Sequence, residues 1–205
     1  MKDFRLIETM RVSSEGEVYL LDRHLERLSR SAAYFSFTCD LGRVREEIFK
    51  AIPPDGSPVC LRLTLSKDGV LSLGSSPLPT SRVKRLKLSS VRVNSNDVFL
   101  RHKTTNRDLY ERARLECDED TDVILINERE EITETTVMNL GVLRESRWIT
   151  PQLSCGLLPG VLRQELLARG EIVEGVIPAA ELQPGEIVRC FNALRGTSDL
   201  VLSGF

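Results

Sequence analysis

The chain has 205 residues, 41% apolar and 28% charged, with a formal net charge of −2, an ordinary globular composition with room for one large domain or two small ones. Near-neutral charge with no basic tail or stripe argues against nucleic acid as the main partner, and no apolar run approaches the roughly 18 residues that a membrane span requires. The polar start Met1-Lys2-Asp3-Phe4-Arg5 lacks signal-peptide character, and five scattered cysteines without knuckle spacing read as reduced thiols of a cytoplasmic protein with no metal centre.

In chain order, Phe4 to Val12 alternates and reads as a strand, turned by Ser13-Ser14-Glu15-Gly16 into Val18 to Leu21 as a hairpin. Asp22 is expected to cap a helix reaching about Phe35, with Leu25, Leu28, Ala32 and Ala33 on its apolar side. Asp40 starts a second helix that gathers Leu41, Val44 and Ile48 before Pro53-Pro54 stops it. Strands are expected at Val59 to Leu65, Val70 to Leu73 and Leu86 to Val93, with a Pro/Ser-rich loop from Ser75 to Ser81. This pattern is α+β, with no βαβ repeat.

Past residue 95 the expected elements are a helix from Asn106 to Cys117, a strongly apolar strand from Asp122 to Asn127, and a turn over Glu128 to Glu131 into Ile132-Thr133-Glu134. Strands follow at Val137 to Leu143 and Trp148 to Thr150, then a loop in which Cys155 reads as structural rather than reactive. Pro159 opens a helix ending near Gly170. Strands at Ile172 to Val176 and Ile187 to Phe191, with Pro178 to Leu182 as a short helix between them, finish the core. The domains are residues 1–95, a small two-layer unit, and 96–205, a larger one.

Candidate chemistry starts from a shortage. The chain has 6 lysines against 22 arginines, and Lys103 is the last of the lysines; arginine's pKa is too high for it to act as a neutral amine nucleophile or base. Arg101 and Arg107 lie within chain reach of Lys103, and neighbouring cations lower an amine's pKa; the alternative is a solvated charge. The helix start at Pro159-Gly160 offers free N–H groups that can cradle a phosphate, or is an ordinary helix start. Asn192 heads a polar turn through Gly196 that supplies further donors or is simply a turn. A semi-buried Glu134 needs a cationic or hydrogen-bonding partner, and a protonated ring nitrogen would suit it. Of Arg23, Arg27 and Arg30 on the first helix, Arg27 is best placed to point across a cleft, the alternative being a solvated basic face. His24 reads as a helix-surface or packing residue and His102 as structural.

Together Leu6-Ile7-Glu8-Thr9-Met10-Arg11, His24-Leu25-Glu26-Arg27-Leu28, His102-Lys103-Thr104-Thr105-Asn106-Arg107, Ile132-Thr133-Glu134, Leu158-Pro159-Gly160 and Asn192-Ala193-Leu194-Arg195-Gly196 resemble the fold-type IV family of pyridoxal phosphate enzymes. That family contains branched-chain and D-amino acid aminotransferases and aminodeoxychorismate lyases. Each motif is short, but their order and spacing over nearly the whole chain are specific. The resemblance implies a small N-terminal α+β domain and a larger C-terminal barrel-like domain, with pyridoxal 5'-phosphate between them and a homodimer around it. It implies Lys103 as the Schiff-base lysine, Arg27 as a phosphate ligand, Glu134 as partner of the pyridine nitrogen, and the amides of Val161 and Leu162 as phosphate donors. Asn192 falls where the family places a phosphate-binding hydroxyl or amide.

Within the family, the Lys-Thr-Thr-Asn-Arg motif and the Asn-containing ending are similar to the lyase branch, especially the form fused behind the chorismate-aminating component; a start at the Phe4 strand is consistent with a separately encoded or excised lyase domain. The expected small-molecule substrate is then 4-amino-4-deoxychorismate, with Thr9 delivering a proton to the departing pyruvyl group and Arg107 holding a substrate carboxylate. Two alternatives stay open: a branched-chain or D-amino acid aminotransferase, and a non-catalytic binding or assembly domain. One departure stands out. Family members usually carry glycine where this chain has Glu130, which implies strain of about 1 kcal/mol if the position needs positive φ, and three glutamates around Arg129 suggest a repulsive, less stable turn.

Overall fold

The computed structural model describes residues 3–203. Its contacts divide the chain discontinuously, where the sequence reading has one cut near residue 95. The first unit takes residues up to Thr80 with His102–Asn106 and Ala193–Arg195; the second takes Ser81–Arg101, Arg107–Asn192 and the chain from Gly196.

The first unit is an antiparallel sheet of β1 (Leu6–Val12), β2 (Val59–Leu65) and β3 (Leu71–Pro77), in that order, with α1 (Leu21–Phe35) and α2 (Leu41–Lys50). Alternation along β1 puts Leu6, Glu8, Met10 and Val12 on one face. Leu6, Met10 and Val12 pack there with Leu25, Leu28 and Ala32 of α1, Val44 and Ile48 of α2, and Val59, Leu61, Leu63 and Leu65 of β2. The sheet also gains a short segment beside β1: Ile7 N–H donates to the Lys103 carbonyl and Thr105 N–H to the Arg5 carbonyl, each at 2.9 Å.

Several local expectations are corrected. The hairpin's second arm is one bridge, Val12 to Val18, because Leu20, at φ 54°, turns the chain straight into α1; the true partner of β1 is β2. Asp22 lies inside the first turn of α1, makes no cap and pairs with Arg45. Asp40 does cap α2, accepting from Arg43 N–H at 3.1 Å. Strand β3 runs on through Ser75 and Ser76 to Pro77, where proline's missing N–H is tolerated at an edge.

Glu8 therefore occupies a core position on β1. Its carboxylate, 2% exposed, accepts from Arg27 Nε at 2.9 Å and Arg27 Nη2 at 2.6 Å, and it meets His24 Nδ1 at 2.6 Å. Burial alone would raise the Glu8 pKa, but the charge of Arg27, then that of His24, and the hydrogen bonds from both outweigh it and hold the carboxyl at about 2. Positions 24 and 27 share a helix face, so one turn of α1 supplies both partners.

The second unit contains β4 (Arg85–Val93), α3 (Asp108–Arg114), β5 (Thr121–Asn127), β6 (Ile132–Thr135), β7 (Asn139–Arg144), β8 (Arg147–Pro151), α4 (Val161–Ala168), β9 (Ile172–Gly175), β10 (Ile187–Asn192) and β11 (Gly196–Leu202). The eight strands run in the order β6-β5-β4-β11-β10-β7-β8-β9. Residues bordering the two outer strands meet: Ile132 N–H donates to the Ile177 carbonyl at 3.0 Å and Ala179 N–H to the Glu130 carbonyl at 2.8 Å. The sheet is thus curled into the expected barrel-like form around Leu86, Ile124, Ile126, Leu140, Val188 and Leu202. Strand β5 is buried along its whole length, because Val123 and Leu125 on its other face are covered by Leu100 and Ala113. Strand β11 was absent from the sequence expectation: only Leu200 and Leu202 of it are buried apolar residues, and Thr197 and Asp199 face solvent.

Glu130 does adopt positive φ, at 58°, but the turn around it is not repulsive. Glu130 pairs with Arg92, Glu131 with Arg129, and Glu128 with Arg129 and with the N–H and hydroxyl of Ser95. Each carboxylate has its own donor, so only the backbone strain remains. Glu130→Gly should accordingly be more stable than Glu130→Ala by about 1 kcal/mol in urea unfolding, since both lack the carboxylate and glycine's tolerance of positive φ outweighs its greater backbone entropy loss; a less stable Glu130→Gly would refute strain there. The Glu8 carboxyl, depressed from 4.5 to about 2, contributes stability that is fully present above pH 4.5 and lost as pH falls through 2, on the order of 3 kcal/mol. In Glu8→Gln the unfolding free energy should be lower at neutral pH and should fall less steeply over that acidic window; an unchanged slope would remove Glu8 from the account.

Candidate active site

Among the residues singled out by sequence, Lys103, Arg27 and Thr9 belong to the first unit, and Glu134, Arg107, Val161, Leu162 and Asn192 to the second. In the first unit the Lys103 carbonyl is fixed by Ile7, and the hydroxyls that follow it serve the backbone: Thr104 Oγ1 accepts from Asn106 N–H at 3.2 Å and Thr105 Oγ1 from Arg5 N–H at 2.9 Å. These bonds set where the Lys103 side chain leaves the chain. Its charge is felt by His24, whose pKa is lowered by burial first, an effect opposed by Glu8 and reinforced by Arg27 and Lys103.

His24 is not a helix-surface residue. It is 1% exposed, its Nδ1 meets Glu8 Oε2 at 2.6 Å, and its buried Nε2 is met by no described residue. Arg27 is likewise buried, gripped through Nε and Nη2 by Glu8. Thr9, on the opposite face of β1, is half-buried and in register with Arg62. His102 is structural as expected, with Nδ1 at 2.9 Å from Ser31 Oγ and its ring against Tyr34 and Phe35.

In the second unit Glu134, on β6 and 4% exposed, is surrounded by donors. Tyr110 Oη donates to Oε1 at 2.7 Å, Leu158 N–H donates to the same oxygen at 3.1 Å, and Asn139 Nδ2 donates to Oε2 at 3.2 Å. Three donors on a buried carboxyl favour the anion. Asn139 also donates to the Leu158 carbonyl at 2.9 Å, tying β7 to the loop that enters α4. That helix begins at Val161 as expected, after Pro159-Gly160. A Cβ at Gly160 would overlap Asn139 Oδ1, so glycine is required there for close approach. Among the described residues, no backbone carbonyl accepts from the amides of Val161 or Leu162, as at any uncapped helix start.

Arg107 Nη2 donates to the Thr136 carbonyl at 2.7 Å, and its guanidinium lies 4.4 Å above the Tyr110 ring centroid. Asn192, at the end of β10, donates from Nδ2 to the Val137 carbonyl at 3.2 Å. Cys155 is inert, since burial first and then Glu131 push its thiol up to about 11. Sequence reasoning passed over Glu8, Tyr110 and Asn139. Glu8 could have been suspected as a carboxylate among inward-facing apolar residues of a strand, whereas Tyr110 and Asn139 gave no local signal.

Each unit contributes groups that fit part of a ligand carrying a phosphate and a protonated ring nitrogen. In the first unit the Arg27 guanidinium is a cation suited to a phosphate, and in the second the amides that open α4 suit a phosphate and the Glu134 carboxyl suits a protonated ring nitrogen.

Comparison with known proteins agrees. The family model for amino-transferase class IV matches residues 5–200. A candidate aminodeoxychorismate lyase of Schizosaccharomyces pombe is 32% identical over 95% of this chain and 88% of its own. The crystal structure of a candidate amino-acid aminotransferase from Mesorhizobium loti is 38% identical, with a TM-score of 0.90 over 98% of this chain and 100% of that one. The 4-amino-4-deoxychorismate lyase of Pseudomonas aeruginosa, 22% identical with a TM-score of 0.83 over 97% of this chain and 85% of that one, shares the fold. The matched model, the curled sheet and the motif order together make this chain a member of the class IV aminotransferases, the fold-type IV family of pyridoxal phosphate enzymes that includes the aminodeoxychorismate lyases.

Proposed function

We propose that the protein is a pyridoxal phosphate-dependent 4-amino-4-deoxychorismate lyase, forming 4-aminobenzoate and pyruvate. The observation that carries this reading is the 32% identity, over 95% of the chain, to a relative named for that activity. The motif from His102 to Arg107 and the Asn192 ending support it.

Pyridoxal phosphate supplies, when bound, an electron sink for a carbon that loses a proton. Around it Lys103 is the anchoring amine and, once released, the base that takes the proton from the amine-bearing ring carbon of the substrate. Glu134, kept anionic by its three donors, holds a proton on the cofactor's ring nitrogen. Arg27, the amides of Val161 and Leu162, and Asn192 bind the phosphate. Arg107 orients a substrate carboxylate. The C–O bond to the enolpyruvyl group then breaks, Thr9 delivers a proton to the departing group, and the ring becomes aromatic, which supplies driving force. The same proposal includes a cytoplasmic homodimer and a functional link, or a fusion in related chains, to the chorismate-aminating component.

A second reading, amino-group transfer to a keto acid, is favoured by the 38% identical structure named as an amino-acid aminotransferase. Product analysis separates the two. The lyase yields pyruvate and 4-aminobenzoate with no amino acceptor present, whereas a transaminase given an amino acid alone stops at one equivalent of keto acid per site. Borohydride treatment of the holoenzyme should leave a reduced pyridoxyl group on the peptide containing Lys103, and Lys103→Ala should lose about 10²–10⁴-fold in turnover. A label on any other lysine, or no label, would defeat the assignment.

A further inference from the structure

We propose that Tyr110 is a positioning residue of the active centre, which holds the Glu134 carboxylate with its hydroxyl and the Arg107 guanidinium with its ring. The inference rests on the reading of Glu134 as partner of the cofactor's ring nitrogen and deepens it.

The two contacts use opposite ends of one side chain. The hydroxyl donates to Glu134 Oε1 at 2.7 Å, shorter than the bonds from Leu158 N–H at 3.1 Å and Asn139 Nδ2 at 3.2 Å. The ring lies 4.4 Å from Arg107 Cζ, within cation–π range, and Arg107 is further fixed by the Thr136 carbonyl. Tyr110 is carried on α3, which packs against β4 and β5 through Ala113, so the side chain is presented from a regular element and not from a loop.

Chemistry gives the arrangement a direction. Burial of the hydroxyl first, and then the charge of Glu134, push the Tyr110 pKa well above 10, so the residue remains an O–H donor at any working pH and cannot compete for the carboxylate's charge. A strong donor on Oε1 lowers the basicity of Glu134. A less basic Glu134 leaves the proton on a pyridine nitrogen opposite it, whereas a carboxylate stripped of this donor would draw that proton more strongly to itself. The bond also fixes which way the carboxylate plane faces, because Oε1 is engaged by both Tyr110 and Leu158.

The test uses reconstituted holoenzyme and two cofactors: pyridoxal phosphate and its deaza analogue, in which the ring nitrogen is replaced by CH. Tyr110→Phe keeps the ring beneath Arg107 and removes only the hydroxyl. Its affinity for pyridoxal phosphate should fall about tenfold, the loss expected for one hydrogen bond to a charged group, while its affinity for the deaza analogue should match wild type. A loss equal for both cofactors, or for neither, would overturn the role of the hydroxyl. Glu134→Gln in the same assay separates the layers of the argument. If Glu134→Gln distinguishes the two cofactors as wild type does, the reading of Glu134 fails and the proposal with it; if it loses the distinction while Tyr110→Phe retains it in full, only the proposal fails. Tyr110→Leu removes the ring as well and should raise the substrate KM about three- to tenfold beyond Tyr110→Phe; no difference in KM would remove Arg107 from the account.

Discussion

The carboxylate of Glu8 stands where the alternation of β1 calls for an apolar side chain, between Leu6 and Met10 and under α1. An ionised group taken out of water costs several kcal/mol unless it is paired and hydrogen-bonded. That cost is offset only if Arg27 and His24 arrive together, which fixes the rotation of α1 on the sheet. Apolar packing alone tolerates sliding, because one leucine contact resembles another. A bidentate guanidinium–carboxylate pair does not. The first unit therefore owes its register to a charged contact, and that same contact decides where the proposed phosphate ligand Arg27 sits. Stability and chemistry are coupled there, since any change that frees Arg27 also leaves a buried charge unmatched.

The second unit repeats the device with neutral donors. Glu134 is buried on β6, where the Tyr110 hydroxyl, the Asn139 side-chain amide and the Leu158 N–H donate to it. The three come from α3, from β7 and from the loop before α4, so one carboxylate orients three elements that are distant in sequence. Gly160 is the steric counterpart of this network, because a side chain there would displace Asn139. The motif Leu158-Pro159-Gly160 thus has a structural duty toward Glu134 as well as the proposed duty toward a phosphate.

This division explains what could be read from the sequence and what could not. Periodicity and capping are local, so the Asp40 cap, the apolar strand around Ile124 and the helix start at Val161 were legible. The partners of the buried carboxylates were not, because 19 residues separate Glu8 from Arg27 and 24 separate Tyr110 from Glu134, and nothing in composition announces such pairings. Strand β11 was missed because few of its residues are buried and apolar. Lys103 is joined to the first unit by main-chain bonds to β1 that no side-chain pattern encodes.

The same logic gives meaning to the scarcity of lysine. In the second unit the cations that organise loops are arginines with several directed bonds each. Arg129 donates to Ser95 Oγ, to the Ser154 carbonyl and to Glu128 and Glu131; Arg163 to the Pro151 carbonyl and Glu174; Arg92 to Glu130 and the Ser89 carbonyl. A lysine offers a rotating point charge and could not hold such forks. It is, however, the cation that can shed its proton and act as an amine at neutral pH when its surroundings lower its pKa. With positioning delegated to guanidinium groups, the chain from residue 103 onward carries a single primary side-chain amine, and it is the one tied by its own backbone to the strand that bears Glu8.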